Sequence, residues 1–381
     1  MKLTPRLTRI YGCRKAGQAW EDHYSRILCA EGFSRGVASP VAFHHKAREV
    51  WCVVHGDDFS FVGLDSDLDF VEDLLSRNYE VKIRGRLGPG PNDVREIDIL
   101  GRVLKYESWG CSWQADPRHR KMILEHFGFN GQTKIVTTTG IKEAESEGGS
   151  EEILLNPVDA TNFRAIAARF NYLAADSPNL QFATKEVCRD MASPTVQAHE
   201  RLKRLARYLL GVKEVVWYFR WQTAEVRDLV VSVDSDWAGC RRTRKSTSGG
   251  CIMIGSHTLK SWSLTQVVVA MSSAEAEYYA MIEGSVRGLG LQSMMLELGI
   301  TVSVVLATDS SAAKSFSSRR GLGRMRHIEV KDLWLQEAAC RGRLKIVKVA
   351  GKENPPDIFT KYHGVKELQD RCDRLSIEVV T

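Results

Sequence analysis

The sequence predicts an α/β (α+β) fold, with a mixed sheet and flanking helices in its C-terminal part. Three observations carry this prediction. From residue 228 onward, β-rich runs and helical patterns alternate in the order of a compact sheet packed by helices. Two segments further upstream show apolar residues at helical spacing. The composition, 43% hydrophobic and 26% charged over 381 residues, is that of a chain able to bury sizeable cores. It excludes a mainly disordered or collagen-like chain.

Taken in order, Trp20, Tyr24, Ile27 and Leu28 recur at helical spacing before Gly32, so a helix is expected within residues 1–35. "VWCVVHGDDFSFVG" (50–63) reads as a hairpin with acids at its tip. "DSDLDFVEDLLSRNY" (65–79) reads as a helix whose acidic first turn suits the helix dipole. A Gly/Pro loop (86–95), strands at 96–107 and 110–115, and a helix at 116–129 opened by Pro117 follow. Residues 137–157 are expected to be a linker; within them "TTTGIKEAESEGGSEE" holds five Glu, one Lys and no aromatic residue. Residues 158–226 are expected to be helical. Phe163, Ile166, Ala167, Phe170, Leu173 and Ala174 line one helix, and Val196, Leu202, Leu205 and Leu209 another.

Within 227–365 we expect a strand ending near Asp234, a hairpin turning at Gly255-Ser256, and a long helix from residue 272. A strand leading to Asp309, a helix over 326–342, a last strand and a helix start at "NPPDIFTK" complete the expected domain. Residues 366–381 are expected to be a tail.

The net charge of +6 is compatible with a nucleic-acid partner without requiring one. Nine scattered cysteines include no C-x-x-C pair, so free thiols in a reducing compartment are expected rather than a zinc ribbon. The first twenty residues show no apolar run of the signal-peptide kind, and no stretch is apolar enough for a membrane span. The expected location is intracellular, cytoplasmic or nuclear, without secretion and without membrane contact.

Acids recur where strands or helices end. Asp234 follows "VVSV", Asp309 follows "VVLAT", Asp357 opens "DIFTK", and Glu275 and Glu277 lie at the start of the long helix. Carboxylates gathered in one place repel one another, and burial raises their pKa values further. Divalent cations relieve both effects. Oxygen ligands without nearby Cys or His sets suit Mg²⁺ or Mn²⁺. Two such ions roughly 3.5–4 Å apart can activate a water and stabilise a leaving phosphodiester oxygen. In a chain with 47 acids, a few at element ends are also expected by chance. Ser272 and Glu275 fit a capping box, which leaves Glu277 as the freer carboxylate.

These residues resemble a known family. "SVDSDWAGCRRTRKSTSGG", "SSAEAEYYA", "LATDSSAA", "RHIEVKDLWLQE" and "NPPDIFTK" are similar, in order, to the ribonuclease H domain of copia-type LTR retrotransposon Pol polyproteins. "YGCRKAGQAW", "VVHGDDFSFVG", "ILGRVLKY" and the helical run from Phe163 to Gly211 resemble the reverse transcriptase and connection of the same polyprotein. The resemblance implies an RNase H-like sheet at 227–365, preceded by a partial palm and thumb-like segment at 1–136 and connection helices. It implies a metal-dependent endonuclease that cuts the RNA strand of RNA–DNA hybrids. The implied catalytic and metal ligands are Asp234, Glu277, Asp309 and Asp357, holding two Mg²⁺ or Mn²⁺ ions.

Asp236, on the same strand face as Asp234, is a secondary candidate. Arg241, Arg242, Arg244, Lys245, Arg319, Arg320, Arg324 and Arg326 are candidate phosphate contacts, although a solvated loop also accounts for any single one. His327 falls in an expected helix, and its role is left open; Trp237 is expected to be a packing residue.

Asp57 and Asp58 match the polymerase metal pair as a vestige, with His55 and Gly56 departing from the Y-x-D-D pattern. The family's other polymerase aspartate precedes the block at which this chain starts. The expectation is therefore a truncated reverse transcriptase that does not polymerise by itself and packs poorly around its palm remnant. The expected partners are RNA–DNA hybrid and other products of the polyprotein. The competing reading is a nucleic-acid-binding or inactive relic.

Overall fold

The structure, a computed structural model, describes residues 15–140, 153–223, 225–323 and 325–381. Part of the expected linker (141–152), Arg324, and the first residues of the "YGCRKAGQAW" block lie outside the described residues. The chain divides into two compact units, one of residues 1–84 with 289–302 and one of residues 85–288 with 303–381.

In the first unit, α1 (Ala16–Ala30) precedes β1 (Ser34–Arg35), β2 (Ala42–His45), β3 (Val50–His55), β4 (Asp58–Val62) and α2 (Asp65–Asn78). The four strands form an antiparallel meander in chain order. The expected hairpin is β3–β4, where His55 faces Asp58 across the turn. The segment expected to pack poorly has a core of its own: Tyr24, Leu28, Phe43, Val50, Val54, Val71 and Leu74 are buried together. β2 escapes the sequence reading because half of its four buried residues are His44 and His45.

The second unit holds two five-stranded sheets. The first is antiparallel, in the order β14-β8-β7-β6-β5. Its strands are β5 (Glu96–Ile99), β6 (Arg102–Glu107), β7 (Gly110–Gln114), β8 (Glu214–Arg220) and β14 (Ile377–Val380). Residues 85–136 therefore lie in the same unit as the C-terminal part. Residues 366–381 form α10 (Val365–Arg374) and β14 rather than a tail.

The helices α3 (Pro117–His126), α4 (Pro157–Ala174), α5 (Pro178–Cys188) and α6 (Val196–Gly211) accompany this sheet. Three of them start on side-chain caps. The Asp116, Asn156 and Thr195 side chains accept from the backbone N–H of Arg118, Asp159 and Ala198 respectively. α5 is invisible to periodicity because Asn179, Gln181 and Thr184 share its buried side with Leu180, Ala183 and Val187.

The second sheet is mixed, in the order β11-β10-β9-β12-β13. β9 (Asp228–Ser235), β10 (Thr247–Ile254) and β11 (His257–Thr265) run antiparallel, and β12 (Ser303–Thr308) and β13 (Lys345–Lys348) add parallel to β9. α7 (Ser273–Glu297), α8 (Ser311–Ser317) and α9 (Trp334–Cys340) supply the helices. The helix expected over 326–342 begins only at a 3₁₀ turn, Val330–Leu333, so His327 lies on a turn. The "NPPDIFTK" segment is also 3₁₀, Pro355–Phe359. Pro355 and Pro356 carry no N–H, which suits the first turn of so short an element, where an N–H would find no acceptor within the helix.

Two close approaches set the geometry around the end of β9. A Cβ on Gly284 of α7 would lie 2.4 Å from Val233 Cγ1, and one on Gly288 would lie 2.6 Å from Val231 Cγ2. Only glycine lets the helix axis come this near the strand. Gly249 of β10 pairs with Asp234, and a Cβ there would lie 2.8 Å from both Phe359 Cβ and Thr360 Cγ2. The 355–360 segment thus settles over the strand pair beside Asp234.

Candidate metal centre

β9 alternates fully buried Leu229, Val231 and Val233 with Ser232 and Asp234 on the opposite face. Asp234 is therefore carried to the strand end in a fixed orientation. β12 runs parallel to β9 with Ala307 opposite Ser232, so Asp309, just past the end of β12, emerges at the same edge. Glu277 projects from the second turn of α7, which its glycines hold against β9. Donor oxygens of Asp234, Glu277 and Asp309 all lie within 4.8 Å of one another. Asp234 and Glu277 are each only 8% exposed.

The surrounding hydrogen bonds orient this trio. Ser235 N–H donates to Glu277 Oε1 (3.3 Å), and Thr360 Oγ1 donates to Asp234 Oδ2 (2.5 Å). Asn354 Nδ2 donates to the Val233 carbonyl (2.9 Å), tying the 354–360 segment to the strand. Glu277 Oε2 is buried and has no donor among the described residues. Burial pushes the Glu277 carboxyl up to about 9, reinforced by the charges of Asp234 and Asp309. Burial also pushes Asp234 up to about 6; the Thr360 hydrogen bond opposes this, and the charges of Asp357 and Asp309 add to it. Three close carboxylates, one with a bare buried oxygen and none accompanied by Cys or His, fit a hard divalent cation such as Mg²⁺ or Mn²⁺.

The structure brings three of the four expected ligands together and places Asp357 beside them in other company. Its carboxylate is near enough to raise the pKa of both Asp234 and Glu277, yet it is gripped by Arg371 and Lys361, each at 2.5 Å. Asp236 is turned away: its carboxylate accepts from Thr247 N–H and so closes the turn after β9. Glu275 caps α7. Ser272 Oγ accepts its N–H (3.2 Å), and its carboxylate takes the Met271 N–H (2.9 Å), one residue before the expected box partner. His327 places Nε2 2.8 Å from that same Glu275 carboxylate. Trp237, expected to be a packing residue, is 55% exposed and is tethered through its indole N–H to the Ala270 carbonyl (3.1 Å).

The expected phosphate contacts sort into tied and outward-facing side chains. Arg242 pairs with Asp190 (3.0 Å), which also binds Arg201 (2.6 Å). Arg189 contacts Cys240 Sγ and Thr243, so the 240–245 loop is fastened to the end of α5. Arg241 and Arg244 are exposed, and no carboxylate pairs with them among the described residues; Lys245 is half-buried. Arg319 lies over the Phe316 ring (4.9 Å) and Arg320 donates to Cys340 Sγ (3.1 Å), whereas Arg326 is exposed. In the first unit, Asp57 and Asp58 sit at the exposed hairpin tip, with Asp58 3.5 Å from Arg84. No further acid or His joins them in a tight group among the described residues.

Sequence reasoning missed Thr360, Asn354, His363 and Arg371. Thr360 stood inside a quoted motif, but nothing in the spacing indicated that its hydroxyl would reach Asp234.

No family model matches the chain. It is 25% identical over 377 residues to the retrovirus-related Pol polyprotein from transposon RE1 of Arabidopsis thaliana, covering 97% of this chain and 24% of that protein. It is 23% identical over 369 residues to the corresponding polyprotein from transposon TNT 1-94 of Nicotiana tabacum, covering 92% of this chain and 26% of the relative. The chain is thus similar, at 23–26% identity over nearly its whole length, to the Pol polyproteins of copia-type transposons. It spans about a quarter of the length of these polyproteins. Among solved structures, a foamy viral protease-reverse transcriptase in complex with RNA/DNA hybrid superposes with a TM-score of 0.50 at 11% identity, covering 90% of this chain and 39% of that one. This likeness shows a shared fold with that structure, a mixed α/β chain. Among the described residues, no helix is long and apolar enough to cross a membrane.

Proposed function

We propose that this Pol-related chain is a divalent-metal-dependent endonuclease that hydrolyses the RNA strand of RNA–DNA hybrids. Residues 227–365 carry the chemistry, and Asp234, Glu277, Asp309 and Asp357 are the ligands. The observation that carries this reading is the convergence of the Asp234, Glu277 and Asp309 carboxylates within 4.8 Å around a bare, buried Glu277 oxygen. Divalent ions bound there would activate a water and stabilise the departing oxygen of a phosphodiester.

The chain's own residues do the rest. Ser235 N–H and Thr360 Oγ1 hold Glu277 and Asp234 in place, so the ligands need little reorganisation. Hybrid shape and 2′-OH groups are the expected recognition features, with weak sequence preference. We assign polymerisation no complete residue set, because Asp57 and Asp58 stand apart from any third acid among the described residues. Other products of the polyprotein remain expected partners.

The test is cleavage of a labelled RNA–DNA hybrid in Mg²⁺ by the wild-type chain and by Asp309→Asn. Cleavage by the wild type alone supports the reading. Binding of hybrid by both proteins with cleavage by neither would leave only a nucleic-acid-binding relic.

The exposed cations add a second expectation. Arg241→Ala and Arg244→Ala should each weaken hybrid binding and flatten the slope of log K against log salt by about 0.9 per lost phosphate contact. A binding titration at several salt concentrations in which both variants keep the wild-type slope would remove these residues from the interface.

A further inference from the structure

Arg371 lies outside every motif that marks the site, in a segment that reads as a tail, yet it is only 7% exposed and reaches the candidate centre. Its Nη2 donates to Asp357 Oδ2 (2.5 Å) and reaches Glu367 Oε1 (3.4 Å), and its Nη1 donates to the Asn354 carbonyl (2.6 Å). Asn354 in turn holds the Val233 carbonyl, one residue before Asp234. One guanidinium thus grips both the fourth carboxylate and the residue that ties its segment to β9. His363 braces the same segment, with Nε2 2.9 Å from the Asp357 carbonyl and Nδ1 2.9 Å from Glu367.

α10 is itself fixed. Leu368 and Cys372 are buried in the same core as Ile358 and Phe359, and β14 beyond it pairs with β8. Asp357, His363 and Glu367 lie close enough together to suggest a separate metal site. However, Arg371 and Lys361 already supply the neutralising charge.

We propose that Arg371 is a positioning residue that fixes Asp357 beside Asp234, Glu277 and Asp309. The proposal rests on the metal-dependent reading above. The two cations on Asp357 are not equivalent. The Lys361 side chain is 56% exposed and its pair is of the weak, solvent-screened kind, whereas that of Arg371 is 9% exposed and its donors are shared with a backbone carbonyl. Asp357 Oδ1, paired only with the exposed Lys361, would be the oxygen available to a divalent ion, with Arg371 holding Oδ2.

The experiment uses the full chain and measures Mg²⁺ binding by calorimetry and hybrid cleavage against Mg²⁺ concentration. It compares the wild type with Arg371→Gln, Arg371→Lys and Leu368→Ala, the last of which thins the core packing under α10 and leaves every partner of the guanidinium in place. Arg371→Gln should raise the half-saturating Mg²⁺ concentration about 10–100-fold, the range seen when a ligand's orienting partner is lost, with cleavage recovering at high Mg²⁺. Arg371→Lys should fall between it and the wild type, and Leu368→Ala should lower Tm and leave half-saturation unchanged. The proposal is overturned if the Arg371 variants keep the wild-type Mg²⁺ dependence, or if Leu368→Ala shifts it as far. Should Arg371→Gln fail to fold, the comparison of Arg371→Lys with Leu368→Ala decides. A wild-type chain that binds Mg²⁺ without cleaving hybrid would sink the functional reading instead, and the calorimetric shift would still judge Arg371.

Discussion

Glu277→Gln is expected to make the metal-free protein more stable while abolishing Mg²⁺-dependent cleavage. The Glu277 carboxyl is buried beside Asp234 and Asp309, and its folded pKa lies near 9 against an ordinary 4.5. Between those values the folded chain binds more protons at this site than the unfolded chain does. Stability therefore falls as pH rises through that window, the reverse of a salt-bridged carboxylate. Asp234 acts in the same direction between its ordinary 3.8 and about 6. An amide at 277 carries no charge to desolvate. The gain at neutral to alkaline pH should be about 1–3 kcal/mol, the cost commonly found for a buried polar group without its partner. Thermal melts in chelator should show the wild type losing stability from pH 5 to pH 9 and the variant losing much less. Added Mg²⁺ should raise the wild-type Tm and leave the variant unmoved. Loss of a ligand worth several kcal/mol of transition-state stabilisation implies at least a ~10³-fold fall in cleavage. A variant that melts lower than the wild type across this pH range in chelator would contradict the account.

The second large effect concerns the approach of α7 to the sheet. In Gly284→Ala the new Cβ would meet Val233 Cγ1 at 2.4 Å and Val231 Cγ1 at 3.1 Å, both on the strand that carries Asp234. Overpacking of this kind costs about 1–3 kcal/mol. Because the helix must retreat, Glu277 moves with it, and a shift of about 1 Å at a catalytic group can cost 10²-fold in rate. Gly290→Ala provides the control. It lies on the same helix with open space around the new Cβ, and the better helix propensity of alanine should stabilise it by up to about 1 kcal/mol. Opposite signs in the two Tm shifts, with cleavage lost only in the first, are the expected result. Equal behaviour of the two variants would show that the close approach does not position Glu277.

Much of the second unit was legible because its cues are local. The apolar run ending in Asp234, the Ser272–Glu275 cap and the turn at Gly255-Ser256 each state their structure within a few residues. The capping pattern distinguishes Glu275, which holds Met271 N–H and His327, from Glu277, which joins Asp234 and Asp309. What was not legible depends on distant partners. β8 and β14 pair across more than a hundred and fifty residues of sequence, so neither announces the other. α5 hides its apolar period because Gln181 and Asn179 are buried with hydrogen bonds to Ser261 and Tyr208. The orientation of Asp357 depends on Arg371, fourteen residues later on another helix, and a short motif cannot express that dependence.

Asp234, Glu277 and Asp309 should share a divalent cation. Anomalous diffraction from crystals of the wild-type chain grown in Mn²⁺ tests it most directly. The account predicts a Mn²⁺ peak at coordination distance from carboxylate oxygens of all three residues, lost in Glu277→Gln crystals. Well-ordered crystals with no peak among these carboxylates, or with Mn²⁺ bound only elsewhere, would contradict it.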